Sequence, residues 1–252
     1  MKTKYFSQGF TLIEMAMVIF ILGLMMTSFL EPLATRVEEE QRNKTQIQLD
    51  DIEEVLFGYV LRNNHLPCPD CSDALTEDCV TVNTNDPTDI NDGEEDILAD
   101  TCATETGNFP WATLGVKRTD QWDNNFTYHV DKTFADRTIA TNDGTGCETG
   151  SSTLGVSFSL CSDGDIEIFS SDDAIDSGDP ADVATGIPAI VISHGKNWAS
   201  AASDDEVQNT DGDNEFVDKD YSQAAGAEYD DMLIWISPHI LKTMSVKAGM
   251  LP

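Results

Sequence analysis

Six cysteines, Cys68, Cys71, Cys79, Cys102, Cys147 and Cys161, are the side chains of this chain best suited to covalent chemistry. An even count in an oxidising compartment reads first as disulfides, with a connectivity that spacing does not choose. Cys147 and Cys161 bracket an expected loop and strand and are the favoured pair, which leaves the other four to staple a long irregular region. Two other chemistries use the same residues. His65-x-x-Cys68-x-x-Cys71 with Cys79 downstream has zinc-like spacing. Cys68-Pro69-Asp70-Cys71 has the form of a redox motif, without the βαβ pattern that would surround one.

A second group of residues is placed to ligate a cation. Asn209, Asp211, Asp213, Glu215, Asp218 and Asp220 put oxygens at alternate positions of one loop, as a hard ion such as Ca2+ requires. Asn214 stands where an EF-hand has Gly, and Asp220 where it has Glu; a solvated acidic loop is the plain alternative. Asn91-Asp92-Gly93-Glu94-Glu95-Asp96 is a weaker second match. Catalysis finds little support. His65, His129, His194 and His239 are scattered, no G-x-S-x-G, H-E-x-x-H or phosphate-binding glycine loop occurs, and Ser193-His194-Gly195 reads as a strand ending in a turn. The chain is expected not to be an enzyme.

A third feature is a single acid in apolar surroundings. From Phe10 to Phe29 the sequence FTLIEMAMVIFILGLMMTSF has the length a helix needs to span a bilayer, about 20 residues, and carries one charge, Glu14. Such an acid is costly in hydrocarbon and is a functional candidate by default. Lys2 and Lys4 precede the run, so the short amino-terminal side should stay cytoplasmic and the rest should lie across the membrane. A cleaved secretory signal is disfavoured by the long run and by the lack of an A-x-A site after it. If the chain were cut after Gly9, the new amine of Phe10 would lie one helical turn from Glu14 and could pair with it, or with the same acid on a neighbouring subunit.

Gly9-Phe10-Thr11-Leu12-Ile13-Glu14, with its short basic leader and long apolar run, resembles the class III signal of type IV prepilins and type II secretion pseudopilins. The resemblance implies cleavage after Gly9 by a prepilin peptidase, methylation of Phe10 by the same enzyme, and a role for Glu14 in filament assembly. It also implies that Gly23 and Pro32 are weak points of a stem helix. Asp120-Gln121-Trp122-Asp123-Asn124-Asn125-Phe126 is similar to the D-P-W-G-x-P-Y stretch of major pseudopilins, with both prolines and the glycine replaced. Major pseudopilins also carry calcium in a late loop, where residues 209 to 220 fall.

The elements that must position these groups follow from periodicity. Ile52, Val55, Leu56, Tyr59 and Val60 form one apolar stripe of a helix that should end before Pro67. Residues 65 to 110 have no sustained period. Strands are expected at 126–130, 154–161, 165–170, 186–193 and 232–237, with a hairpin turn at Ser162-Asp163-Gly164. The expected class is α+β and pilin-like: a long N-terminal helix, transmembrane in its first half, packed on a small antiparallel sheet with a disulfide-stapled loop. The domains would be a leader (1–9), a transmembrane and stem helix (10–64), and an extracytoplasmic head (65–252), irregular over 65–110 and β-rich over 111–252. Composition agrees with export: 46 acidic against 14 basic residues, net charge -32, disfavour direct nucleic-acid binding. The expected protein is a minor or accessory subunit of a pilus or pseudopilus, anchored by a single pass in the bacterial inner membrane with its head in the periplasm, and displayed at the cell surface after assembly. Its partners would be other such subunits and the peptidase. The alternative is an unassembled periplasmic binding or sensor protein that depends on calcium.

Overall fold

The computed structural model describes residues 11–72, 79, 90–98, 100–137, 156–178, 180–200 and 203–251, with the side chains of 26–34 and 200 outside that description. The expected leader (1–9) and the Gly9-Phe10 step therefore lie outside the described residues. The chain divides into two compact units, Met1–Asn43 and Lys44–Pro252.

In the first unit, α1 (Leu12–Asn63) begins after Thr11 and includes both Gly23 and Pro32. Every described side chain from Thr11 to Met25 is exposed, although nearly all are apolar. Among the described residues, no helix is long and apolar enough to cross a membrane. The expected run Phe10–Phe29 is only partly covered by described side chains, which stop at Met25 and resume at Thr35.

In the second unit, the later turns of α1 bury Thr45, Leu49, Ile52, Leu56 and Val60, spaced three and four residues apart on one face. Val55 and Tyr59 sit at the margin of that face and are half-buried. Asn64 ends the helix in the left-handed conformation, φ 69°, and its N–H donates to Val60 O at 2.8 Å. Asn tolerates that conformation and satisfies a terminal carbonyl there.

Four strands, β3 (Thr106–Asn108), β4 (Thr127–Val130), β7 (Ala189–Ser193) and β11 (Met232–Trp235), form an antiparallel sheet in the order β11-β7-β4-β3. Its two faces serve two cores. Tyr128, Val130, Ala189, Val191, Met232 and Ile234 share a core with the α1 stripe. Ile190, Ile192 and Leu233 face a second core, which Ile166, Ile168, Ile187, Phe216, Val217 and Tyr229 complete. The latter residues come mainly from β5 (Ile166–Phe169), β6 (Ala184–Ile187) and β8 (Glu215–Val217), a three-stranded sheet ordered β6-β5-β8. β7 is buried along its whole length because it is covered on both faces. This explains why its sequence is continuously apolar rather than alternating.

The class is thus mixed α+β, and several expected elements change. Residues 186–193 are two strands in two sheets. Pro188 lacks an N–H for either ladder, so the chain changes sheets there, with Pro188 O accepting from Asp131 N at 3.0 Å. Residues 156–161 are not a strand, and Ser162-Asp163-Gly164 closes no hairpin. Val156 and Phe158 are instead buried as an irregular segment in the first core, tied by Ser157 N to Asn64 O at 3.1 Å. β5 pairs antiparallel with β6 and parallel with β8, so the sheets are not wholly antiparallel. Two short hairpins, β1 (Ile97–Leu98) with β2 (Thr101–Cys102) and β9 (Ser222–Ala224) with β10 (Ala227–Tyr229), were not anticipated. Nor were the short helices α2 (Trp111–Leu114), α3 (Lys132–Ala135), α4 (Asp172–Asp176) and α5 (Asp204–Gln208), or the C-terminal helix α6 (Pro238–Lys247), which contributes Leu241 to the first core. Pro238 at its first turn is a favourable start that was legible in the sequence.

The irregular region is held covalently and by its acids. Cys68 bonds Cys102 and Cys71 bonds Cys79. These four sulfurs are therefore not available as zinc ligands or as a Cys68–Cys71 redox pair. Cys161 is also disulfide-bonded, and its expected partner Cys147 lies outside the described residues. Buried Asp70 accepts from Asn91 N at 3.0 Å and Gly93 N at 2.9 Å. Asp96 accepts from Cys71 N at 2.8 Å, and Glu95 from Tyr59 OH and from Arg137, each at 2.8 Å. Where the short ladders of this region leave backbone N–H groups over, as at Cys71 and Gly93, carboxylates accept from them. Gly107 is required beside them, since a Cβ there would lie 2.4 Å from Asp70 O.

Candidate functional site

At the start of α1, Thr11 and Glu14 form a reciprocal cap. Glu14 N donates to Thr11 Oγ1 at 3.3 Å, while Glu14 Oε2 accepts from Thr11 N and Thr11 Oγ1, each at 3.5 Å. Thr11-x-x-Glu14 is thus a capping box. Its carboxylate sits at the positive end of the helix dipole. Glu14 is exposed.

In the head, the expected cation loop is organised around its own backbone. Asn209 is buried and satisfied on both sides: its Oδ1 accepts from Val217 N at 2.8 Å, and its Nδ2 donates to Asp231 Oδ2 at 2.7 Å and Val217 O at 3.1 Å. It splices α5 to β8. Asp211 Oδ1 accepts from Asp213 N at 3.1 Å, and Asp213 Oδ1 from Glu215 N at 2.8 Å, a relay of Asx turns. Gly212, at φ 86°, takes the left-handed position, not Asn214. Asn214 Nδ2 reaches Asp165 Oδ2 at 2.6 Å, and Glu215 lies in β8. Burial and the neighbouring Asp220 raise the Asp218 carboxyl, and burial raises Asp211. In the weaker candidate, Asn91 Oδ1 accepts from Asn108, Arg118 and Asn125, while Glu95 is occupied as above.

Three other carboxylates converge. Glu206, Asp230 and Asp231 each offer an oxygen, all within 4.8 Å of one another. Ser203 caps α5 by accepting from Glu206 N. The Glu206 carboxylate does not return to the cap and turns inward instead. It accepts from Asn197 Nδ2 at 2.9 Å and Asp230 N at 3.0 Å, and Glu206 is 1% exposed. Asp230 Oδ2 accepts from Lys196 N at 2.9 Å. Gly195 makes this approach possible: it sits at φ 61°, and a Cβ there would lie 2.6 Å from the Asp230 carboxylate. Beside them His194 is buried, with Nε2 2.9 Å from Thr127 Oγ1 and Nδ1 3.6 Å from Asp231 Oδ1. That Nδ1 has no hydrogen-bond partner among the described residues.

The Ser193-His194-Gly195 tripeptide is a strand end followed by a turn, as expected. Ser193 Oγ donates to Asp120 Oδ2 at 2.7 Å, and Asp120 Oδ1 accepts from Trp122 N at 2.8 Å and Asn124 N at 3.0 Å. The Asp of the Asp-x-Trp stretch therefore folds the turn that leads into β4 and ties it to β7. Burial raises its carboxyl, against these hydrogen bonds.

Sequence spacing did not find the Glu206 cluster because its members are 24 residues apart and meet only when β11 is placed. An Asp pair immediately before an apolar strand was the one local signal. Comparison of the chain with protein-family models, with curated proteins and with solved structures returns no match.

Proposed function

We propose that this chain is a leader-processed, membrane-inserted subunit of a type IV pilus or type II secretion pseudopilus, working as a structural rather than catalytic protein. The observation that carries this reading is the order of Gly9, Phe10 and Thr11-Leu12-Ile13-Glu14 at the head of an apolar helix. The exposed apolar side chains of Leu12 to Met25 support it, because so continuous an apolar surface calls for lipid or other helices around it. In the bilayer, Glu14 needs a cationic partner, and the Phe10 amine released by cleavage is the nearest one by sequence. The head would be periplasmic, where disulfides persist.

Intact mass of the membrane-inserted protein tests the first step. The expected mass lacks residues 1–9 and carries one methyl group on Phe10; a retained leader would overturn the reading. Cysteine crosslinks placed near Phe10 should join subunits, and Glu14→Gln should reduce them without changing the melting of the head.

A second reading, a single-span periplasmic binding or sensor protein dependent on calcium, is favoured by one observation, the convergence of Glu206, Asp230 and Asp231. Three carboxylate oxygens suit a hard divalent cation, whose charge would offset their mutual repulsion. The two readings are compatible in the head, and filament shearing separates them. Calcium should raise the melting temperature and a chelator should lower it; Asp231→Asn should abolish the difference.

A further inference from the structure

A cleft of about 660 Å³, lined by both polar and apolar groups, opens where the ends of β3, β4 and β7 meet the turn 195–200 and the loop between α5 and β8. Its size suits a small-molecule ligand. We propose that this cleft binds carbohydrate, with the C–H face of a sugar ring laid on Trp198 and its hydroxyls received by Asn108, Asn124, Asn125 and Arg118.

Trp198 is 55% exposed, whereas Trp111, Trp122 and Trp235 are half-buried. A half-exposed indole at the rim of such a cleft offers what a pyranose needs, a flat apolar surface beside hydrogen-bonding groups. The polar lining residues are pre-arranged. Arg118 Nε donates to Asn125 Oδ1 at 3.1 Å and Nη2 to Asn91 Oδ1 at 3.2 Å, with the guanidinium 5.9 Å from the centre of the Trp111 ring. Asn125 Nδ2 bridges Asn91 Oδ1 at 3.2 Å and Asn108 Oδ1 at 3.4 Å, and Asn124 Nδ2 donates to Gly195 O at 2.6 Å. Little side-chain freedom is left to lose on binding.

The chemistry of the walls selects the ligand class. Amides supply donors and acceptors side by side, and vicinal hydroxyls, each both donor and acceptor, complement them. An apolar ligand would make no use of the hydrogen-bonding capacity these amides keep beyond their mutual bonds. Among the described lining residues, a phosphate or nucleotide would meet one Lys or Arg, Arg118, in a protein of net charge -32. The cleft shares His194 with the carboxylate cluster, but Glu206, Asp230 and Asp231 do not line it. Asn209, Thr210 and Gly212 of the expected cation loop do line it, so the cleft is independent of the membrane-inserted reading and adjoins the calcium one.

The test uses the full chain in lauryldimethylamine oxide, a detergent without a sugar headgroup. Soluble oligosaccharides of hexoses, N-acetylhexosamines and uronic acids are titrated while tryptophan emission and heat are read. The expected result is saturable binding of at least one class with a blue shift. Trp198→Ala should weaken it at least tenfold, Trp198→Phe should retain most of it, and Trp235→Phe should leave the shift intact. Asn125→Ala, melting as the parent does, should also weaken binding. Absence of saturable binding across the panel would overturn the proposal. So would unchanged affinity in Trp198→Ala, or a mononucleotide that binds where the sugars do not.

Discussion

Leu12 and Leu49 are the same residue type on the same helix, yet Leu12 is 89% exposed and Leu49 is 0% exposed. The first turns of α1 carry apolar side chains all round, and the later turns carry them on one stripe. A stripe needs one partner surface, which the head supplies through Tyr128, Val130 and Val191. A helix apolar on every face needs a surrounding apolar phase. On the proposed membrane-inserted reading, α1 serves two environments: lipid or other helices around its first turns, and the sheet core beside its later ones.

Truncation is the strongest way to break that comparison. Leu56→Ala should destabilise the head by about 2–5 kcal/mol through loss of burial and the cavity left behind, read as a lower melting temperature. Leu22→Ala, at a position 52% exposed, should leave the same melt within about 0.5 kcal/mol. If both changes moved the melt alike, the two-environment account would be wrong.

The next effect concerns covalent support. Replacing Cys68 and Cys102 together by Ser opens a closure spanning 34 residues, and chain entropy puts the loss at about 3–4 kcal/mol. Denaturant unfolding with and without the pair would measure it. A loss below about 1 kcal/mol would mean that the carboxylate anchors alone hold the irregular region.

Asn209→Ala is smaller, about 1–3 kcal/mol, because it strands Val217 N and removes a donor from buried Asp231. If Asn209 served only as a loop ligand for calcium, the change would act only in the presence of calcium. Melts with and without chelator distinguish the two roles.

The smallest and most graded effect is on pH dependence. Burial pushes the Asp70 carboxyl up to about 7, against the N–H of Gly93. Its folded value is raised, so its contribution is full below the ordinary 3.8 and is lost as pH rises through about 7. Burial pulls His129 down to about 4, so its contribution is present above the ordinary 6.5 and is lost as pH falls toward 4. Asp70→Asn should flatten the fall in melting temperature as pH rises from 3.8 to about 7, and His129→Gln the fall as pH drops from 6.5 to about 4. Melts across pH check both slopes.

Much of the architecture was legible. The stripe at Ile52, Leu56 and Val60, the helix end before Pro67, and the strands at 127–130, 166–169 and 232–235 follow from local period and turn chemistry, which act over a few residues. Residues 154–161 misled because Val156 and Phe158 carry strand-like residue types but are buried as an irregular segment. Residues 186–193 misled because Pro188 lies inside one apolar run that two different sheets share.

The candidate sites divide in the same way. By itself, the sequence determined the Gly9-to-Glu14 motif and the apolar run, since each is a matter of residue type and order along one short stretch of chain. The choice among cysteine partners, the inward turn of Glu206 toward Asp230 and Asp231, and the meeting of Arg118, Asn125 and Trp198 around one cleft were decided only by tertiary structure. Those groups lie tens of residues apart, and their distances are set by how the two sheets and α1 pack, which no local spacing records.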